Sequence, residues 1–163
     1  SRSSRHERPR DHGMRSGEPR LNPEIRFRRR GPASVERIAG IEHVGEILAF
    51  GTGLAAETGD AAARHLLVHC HMGISRSTAA MVSLLAQIDP QEPEDQLFAR
   101  LRQIRPQAWP NSVMIGYADD ILGREGRLVG ALRRHYGHQV RARPQIREWM
   151  TQLRRKRELD MAE

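Results

Sequence analysis

The chain has 163 residues, 38% of them hydrophobic and 29% charged, with a mean hydropathy of −0.65. That is enough for one modest domain but not for a core that fills the whole chain. A single cysteine, Cys70, excludes an intramolecular disulfide framework and a cysteine-rich zinc site. No apolar stretch approaches the ~20 residues of a membrane span, and no secretory leader is expected. A lone thiol suits a reducing compartment, so the expected location is the cytoplasm.

The net charge of +7 is unevenly spread. Residues 1–30 hold ten arginines and no lysine against Glu7, Asp11, Glu18 and Glu24, which is +6 and leaves about +1 for the rest. Residues 1–31 show neither a helical nor a strand period, and only LNPEIRF has strand-like content. The segment reads as disordered or weakly ordered. A basic arm can contact nucleic acid or anionic lipid. Phe27 is its only aromatic, so it lacks the stacking platform of a base-binding arm, and a solvated tail is the expectation.

In VERIAGIEHVGEILAF, residues 35–50, Ile38, Ile41, Val44, Ile47 and Leu48 recur at spacings of three and four, which predicts an amphipathic helix. Gly51 or Gly53 is its expected end. After a small-residue stretch, HLLVHC (65–70) carries the short apolar run Leu66, Leu67, Val68, read as a strand buried on both faces. The loop HMGIS follows, then a helix, RSTAAMVSLLAQ. EPEDQLFARLRQI (92–104) predicts the next helix, with Pro93 tolerated in its first turn and acids at its positive end. Asn111 is a good N-cap for NSVMIGYADDILG, ending at Gly123, and REGRLVGALRRHYG makes a further helix. The C-terminal PQIREWMTQLRRKRELDMA predicts a terminal helix with Ile146, Trp149, Met150 and Leu153 on one side and a basic face opposite. The expected division is a basic segment 1–31, a domain 32–137 and an amphipathic helix 138–163.

The chemistry concentrates in HCHMGISRST, residues 69–78. Five residues separate Cys70 from Arg76. A loop of that length can turn its amides toward one centre, and Gly73 permits a backbone conformation denied to other residues. The backbone of His71, Met72, Gly73, Ile74, Ser75 and Arg76 then forms an anion nest at the start of a helix. Arg76 can grip two phosphate oxygens with its planar fork. The same field lowers the pKa of Cys70, and a thiolate facing a bound phosphate is a nucleophile aimed at phosphorus. Ser77, or Thr78, lies beside the thiolate and can help it leave. His69 ends the apolar run and can orient the loop.

HCHMGISRST resembles the signature of the cysteine-dependent protein tyrosine phosphatase superfamily, HCxxGxxR followed by Ser or Thr. Its form HCxxGxSRS is similar to that of dual-specificity-type members. RPQAWPN, residues 105–111, resembles the downstream RPxxxPN segment of the same proteins, and residues from about Gly40 to Gly137 look like small bacterial tyrosine phosphatase-like proteins. The resemblance implies an α/β fold in which a central, mostly parallel sheet, depleted at its N-terminal side, is flanked by helices, with a helix-rich C-terminal half. It implies hydrolysis of phosphate monoesters through a phosphocysteine intermediate, with Cys70 as nucleophile, Arg76 as phosphate clamp and Ser77 assisting breakdown. No metal or other cofactor is implied. The expected partner is a phosphorylated protein or a small phosphate ester.

Two features depart from the pattern. The family's general acid is an aspartate some 30 to 40 residues before the cysteine, and here RGPASVERIAG contains only Glu36. Asp11 and Asp60 lie outside that window. The arginine-rich start is also unlike the rest, and upstream genomic sequence decides whether residues 1–31 are native to such a family. The alternative expectation is therefore a phosphate-binding pseudophosphatase. His43 reads as filler, His71 as an exposed loop residue that shapes access, and the Asp119–Asp120 pair as a solvated face rather than a metal site.

Overall fold

The computed structural model describes residues 40–56 and 66–163. Helix α1, Ile41–Ala56, buries Val44, Ile47 and Leu48, the apolar stripe expected of it. It runs through Gly51 instead of stopping there, because that glycine is a packing contact. A Cβ at Gly51 would fall 2.6 Å from Leu84 Cδ2 and 2.2 Å from Gln87 Oε1. Gln87 Nε2 donates to the Leu48 carbonyl at 2.9 Å, fastening the same crossing.

Helix α2, Arg76–Ile88, is the centre of the described structure and packs against α1, α3 (Glu94–Ile104) and α4 (Ser112–Ile121). Three neighbours can approach because most of its surface is small: Ser77, Thr78, Ala79, Ala80, Ser83 and Ala86 are all buried. The buried Ser83 hydroxyl is satisfied by the Ala79 carbonyl at 2.9 Å. Leu97, Phe98 and Leu101 of α3 and Met114, Ile115 and Ala118 of α4 complete the core on either side.

Asn111 caps α4 as expected, its side chain accepting from the Val113 and Met114 amides at 3.1 and 3.0 Å. Asp119 departs from expectation. Its carboxylate is buried and accepts from the Gly126 amide at 2.6 Å and the Val129 amide at 2.9 Å. It caps α5 (Arg127–Ala142) from another helix, whereas Asp120 is exposed. Arg124, also buried, ties this junction to the Ala86 carbonyl of α2 and to Glu94 of α3.

Helix α5 continues past Gly137 to Ala142 and packs on α3 and α4. The expected single terminal helix is two: α6, Ile146–Gln152, and α7, Lys156–Asp160. Between them Arg154 takes a left-handed φ of 56°, and the chain folds back. Ile146 and Met150 are buried and Trp149 partly so, but Leu153, expected on the same side, is exposed. The fold-back seats Glu158 of α7 in the interior, where it accepts from Trp109 Nε1 and the Ser112 amide and pairs with Arg155.

The expected α/β architecture with a central parallel sheet is not what the described residues form: they build helices and no strand. A strand requires a neighbour to complete its hydrogen-bond ladder. Leu66–Val68 has none among the described residues, and Leu67 is 70% exposed, not buried on two faces. Among the described residues no helix is long and apolar enough to cross a membrane.

Candidate active site

Residues 71–75 form a tight loop between the irregular 66–70 segment and the first turn of α2. Gly73 carries the conformation the loop needs, at φ +66°. In a trans peptide the N–H points away from the C=O before it. Fixing the carbonyls of the loop outward therefore turns the following amides inward. Three successive carbonyls are fixed in this way. Gly73 O accepts from Arg105 Nε at 3.1 Å. Ile74 O accepts from the Trp109 amide at 2.8 Å, and Ser75 O from the Asn111 amide at 3.2 Å. Thr78 Oγ1 also lies within donor reach of the Ile74 and Ser75 carbonyls.

All three outside donors come from one stretch, RPQAWPN. That stretch is itself gripped from behind by α5. The His135 ring is fully buried and its Nε2 lies 3.0 Å from Ala108 O. Gln139 Nε2 donates to both Pro106 O and Ala108 O at 2.8 Å. Tyr136 donates to Pro110 O and stacks on Trp109 with ring centroids 4.3 Å apart. Burial lowers the pKa of His135 to about 4, so the ring is neutral. The neutral Nε2–H tautomer donates to Ala108 O and accepts from Arg102 Nη1 at Nδ1, 3.1 Å away.

Inside the loop sits Cys70, half-buried, with Sγ 3.3 Å from Ser77 Oγ. Burial alone raises a thiol pKa, but here it is outweighed. The Ser77 hydroxyl and the amides of Ser77, Gly73 and Ile74 all donate toward the sulfur and bring its pKa from 9.0 down to about 6. At neutral pH the group is therefore a thiolate. Of the two hydroxyls expected beside it, Ser77 faces the sulfur and Thr78 faces the loop carbonyls.

Arg76 is the first residue of α2 and is exposed. His71 and Met72 are exposed on the loop, Ile74 is buried beneath it, and Ser75 is half-buried. His69 is exposed and, with Val68, Gly73, Ser77, Thr78, Met81, Leu101, Ile104 and Arg105, lines a cavity of about 300 Å³; Cys70 and Arg76 are not among its lining residues. Arg105 was not foreseen as a site residue. Its guanidinium bonds the loop and lines the cavity, so a second cation stands next to the nest. The arginine of RPQAWPN was the available signal, but the function of that segment as a loop brace is a tertiary fact. Glu36, Asp11 and Asp60, the carboxylates weighed as general acids, lie outside the described residues. Among the described residues no cluster of three or more His, Cys, Asp or Glu side chains could hold a metal ion.

What this geometry can do is hold a tetrahedral dianion. The inward amides of the nest and the start of α2 provide the donors, and the thiolate lies at the floor of the loop. No protein-family model matches the chain, and no curated protein or solved structure matches it.

Proposed function

We propose that the protein is a cysteine-dependent phosphate monoester hydrolase, with the loop chemistry of the tyrosine and dual-specificity phosphatases carried on a helical frame. The observation that carries the reading is the Cys70 thiol, lowered to about 6 by inward amides and Ser77 inside a loop that ends in Arg76. The thiolate attacks phosphorus in line, the ester P–O bond breaks, and the leaving oxygen departs with the bond's electrons and takes a proton from solvent water. Water then attacks the phosphocysteine, the S–P bond breaks, and inorganic phosphate leaves. Ser77 Oγ, donating to the departing sulfur, stabilises the regenerated thiolate. Arg76 holds two equatorial oxygens as charge spreads over them. The substrate is a phosphorylated protein or a small phosphate ester, met in the reducing cytoplasm, and neither a metal nor nucleic acid takes part.

The test is release of p-nitrophenol from p-nitrophenyl phosphate without added metal, wild type against Cys70→Ser. Release that vanishes in the variant supports the reading. A folded wild type that binds tungstate but releases nothing supports the second reading, a phosphate-binding pseudophosphatase. The sequence favours that alternative in two respects: residues 30–40 offer no aspartate to protonate a poor leaving group, and the first thirty residues carry no convincing strand pattern.

A further inference from the structure

Glu158 is an unusual residue to find inside this protein. It is a carboxylate only 4% exposed, near the C-terminus, far in sequence from the cysteine loop. Burying such a charge is costly unless every oxygen is answered. Both are. Oε2 accepts from Trp109 Nε1 at 2.8 Å, and Oε1 accepts from the Ser112 amide at 3.0 Å. Arg155 closes the fourfold set with two bonds of 2.6 Å, one to each oxygen. Of the two residues that Glu158 fastens, one is, and the other directly follows, a residue whose amide holds the loop. The Trp109 amide donates to Ile74 O, and the Asn111 amide, directly before Ser112, donates to Ser75 O.

We infer that Glu158 is a positioning residue for the cysteine loop, fixing the 109–112 turn that keeps the Ile74 and Ser75 carbonyls outward and so turns the loop amides that follow them toward the phosphate site. Its importance for turnover rests on the phosphatase reading above. The fold-back between α6 and α7 then has a purpose beyond packing, because it delivers one carboxylate to the back of the site. A carboxylate suits the task because its two oxygens receive an indole N–H and a backbone N–H at once. In E158Q one of those donors faces an amide nitrogen, and the pairing with Arg155 is halved.

The test follows iodoacetamide alkylation of Cys70, the only thiol in the chain, against pH. Removing a negative charge from the protein would by Coulomb's law alone make the thiolate, if anything, easier to form. Loosening the loop does the opposite, so the direction of the change separates the two. In E158Q the alkylation midpoint should rise above that of wild type, slowing the reaction at pH 5.5 by roughly threefold for each half-unit of rise. W109F, which removes the indole donor without changing charge, should move it in the same direction and decides the matter where E158Q does not fold. L128A, a core truncation elsewhere, should lower Tm and leave the midpoint where it is. A wild-type midpoint near 6 with E158Q at or below it would overturn the inference and leave the phosphatase reading standing. A wild-type midpoint near 9 would remove both.

Discussion

Ser77→Ala probes the contact on which the site's reactivity most depends. The hydroxyl lies 3.3 Å from Cys70 Sγ and is buried, and it is the largest of the groups that lower the thiol's pKa. A hydrogen bond to a charged group is worth about 1.5–3 kcal/mol. The sulfur is only half-buried, so the lower figure applies, equivalent to roughly one pKa unit. The midpoint of alkylation should therefore move from about 6 in wild type to roughly 7 in the variant. The sign follows from the reactive form being the thiolate: rate is lost as pH falls through the folded-state pKa, and a higher pKa moves that loss to higher pH. At pH 5.5 the variant should react about tenfold more slowly, and by pH 9 the two should converge. The assay is the rate of iodoacetamide incorporation by mass spectrometry at fixed reagent across pH 5 to 9. Superimposable profiles would refute the contact, because the hydroxyl would then contribute nothing to the charged form. The same depressed pKa links to stability, present in full above pH 9 and lost as pH falls through about 6.

Other outcomes follow from the same geometry. Arg76→Ala should weaken tungstate binding by at least about tenfold, read by calorimetry, whereas Arg76→Lys should recover part of it as a point charge without the fork. Gly73→Ala places a side chain at φ +66°, a strain of about 1 kcal/mol, and should lower both Tm and tungstate affinity. Asp119→Asn leaves one of two α5 donors facing an amide nitrogen and should cost about 1–2 kcal/mol in urea unfolding. His135, held neutral with a pKa of about 4, protonates first in the unfolded chain. Stability should fall by about 3 kcal/mol as pH drops from 6.5 to 4, and His135→Gln should flatten that limb of the urea-midpoint profile.

The helices were largely legible because their signals are local. Asn111 caps α4 through amides two and three residues away, and the apolar spacing of Val44, Ile47 and Leu48 is a property of α1 alone. The anion loop was legible for the same reason, since cysteine, glycine, serine and arginine all act within one turn of chain. What was not legible depends on distant partners. Gly51 reads as a helix end until Leu84 and Gln87 are found against it. Asp119 reads as solvated until the Gly126 and Val129 amides arrive from the next helix. The break at Arg154 carries no proline or glycine to announce it. The apolar run before Cys70 reads as a buried strand, because a short run cannot distinguish a strand from an irregular connection without its neighbours. Trp109 is buried as its type suggests, while its service to the loop lies in its backbone amide.

The outward bracing of residues 73–75 comes from a segment that begins some thirty positions later, joined among the described residues by the bonds of Thr78 and the first turn of α2. An isolated peptide spanning the loop would thus carry an ordinary thiol. The reactive thiol is acquired at the moment the chain between α3 and α4 docks, so the protein holds a built-in chemical clock for its own folding. A short pulse of alkylating reagent near pH 6.5 marks molecules that have closed this junction and spares those that have not.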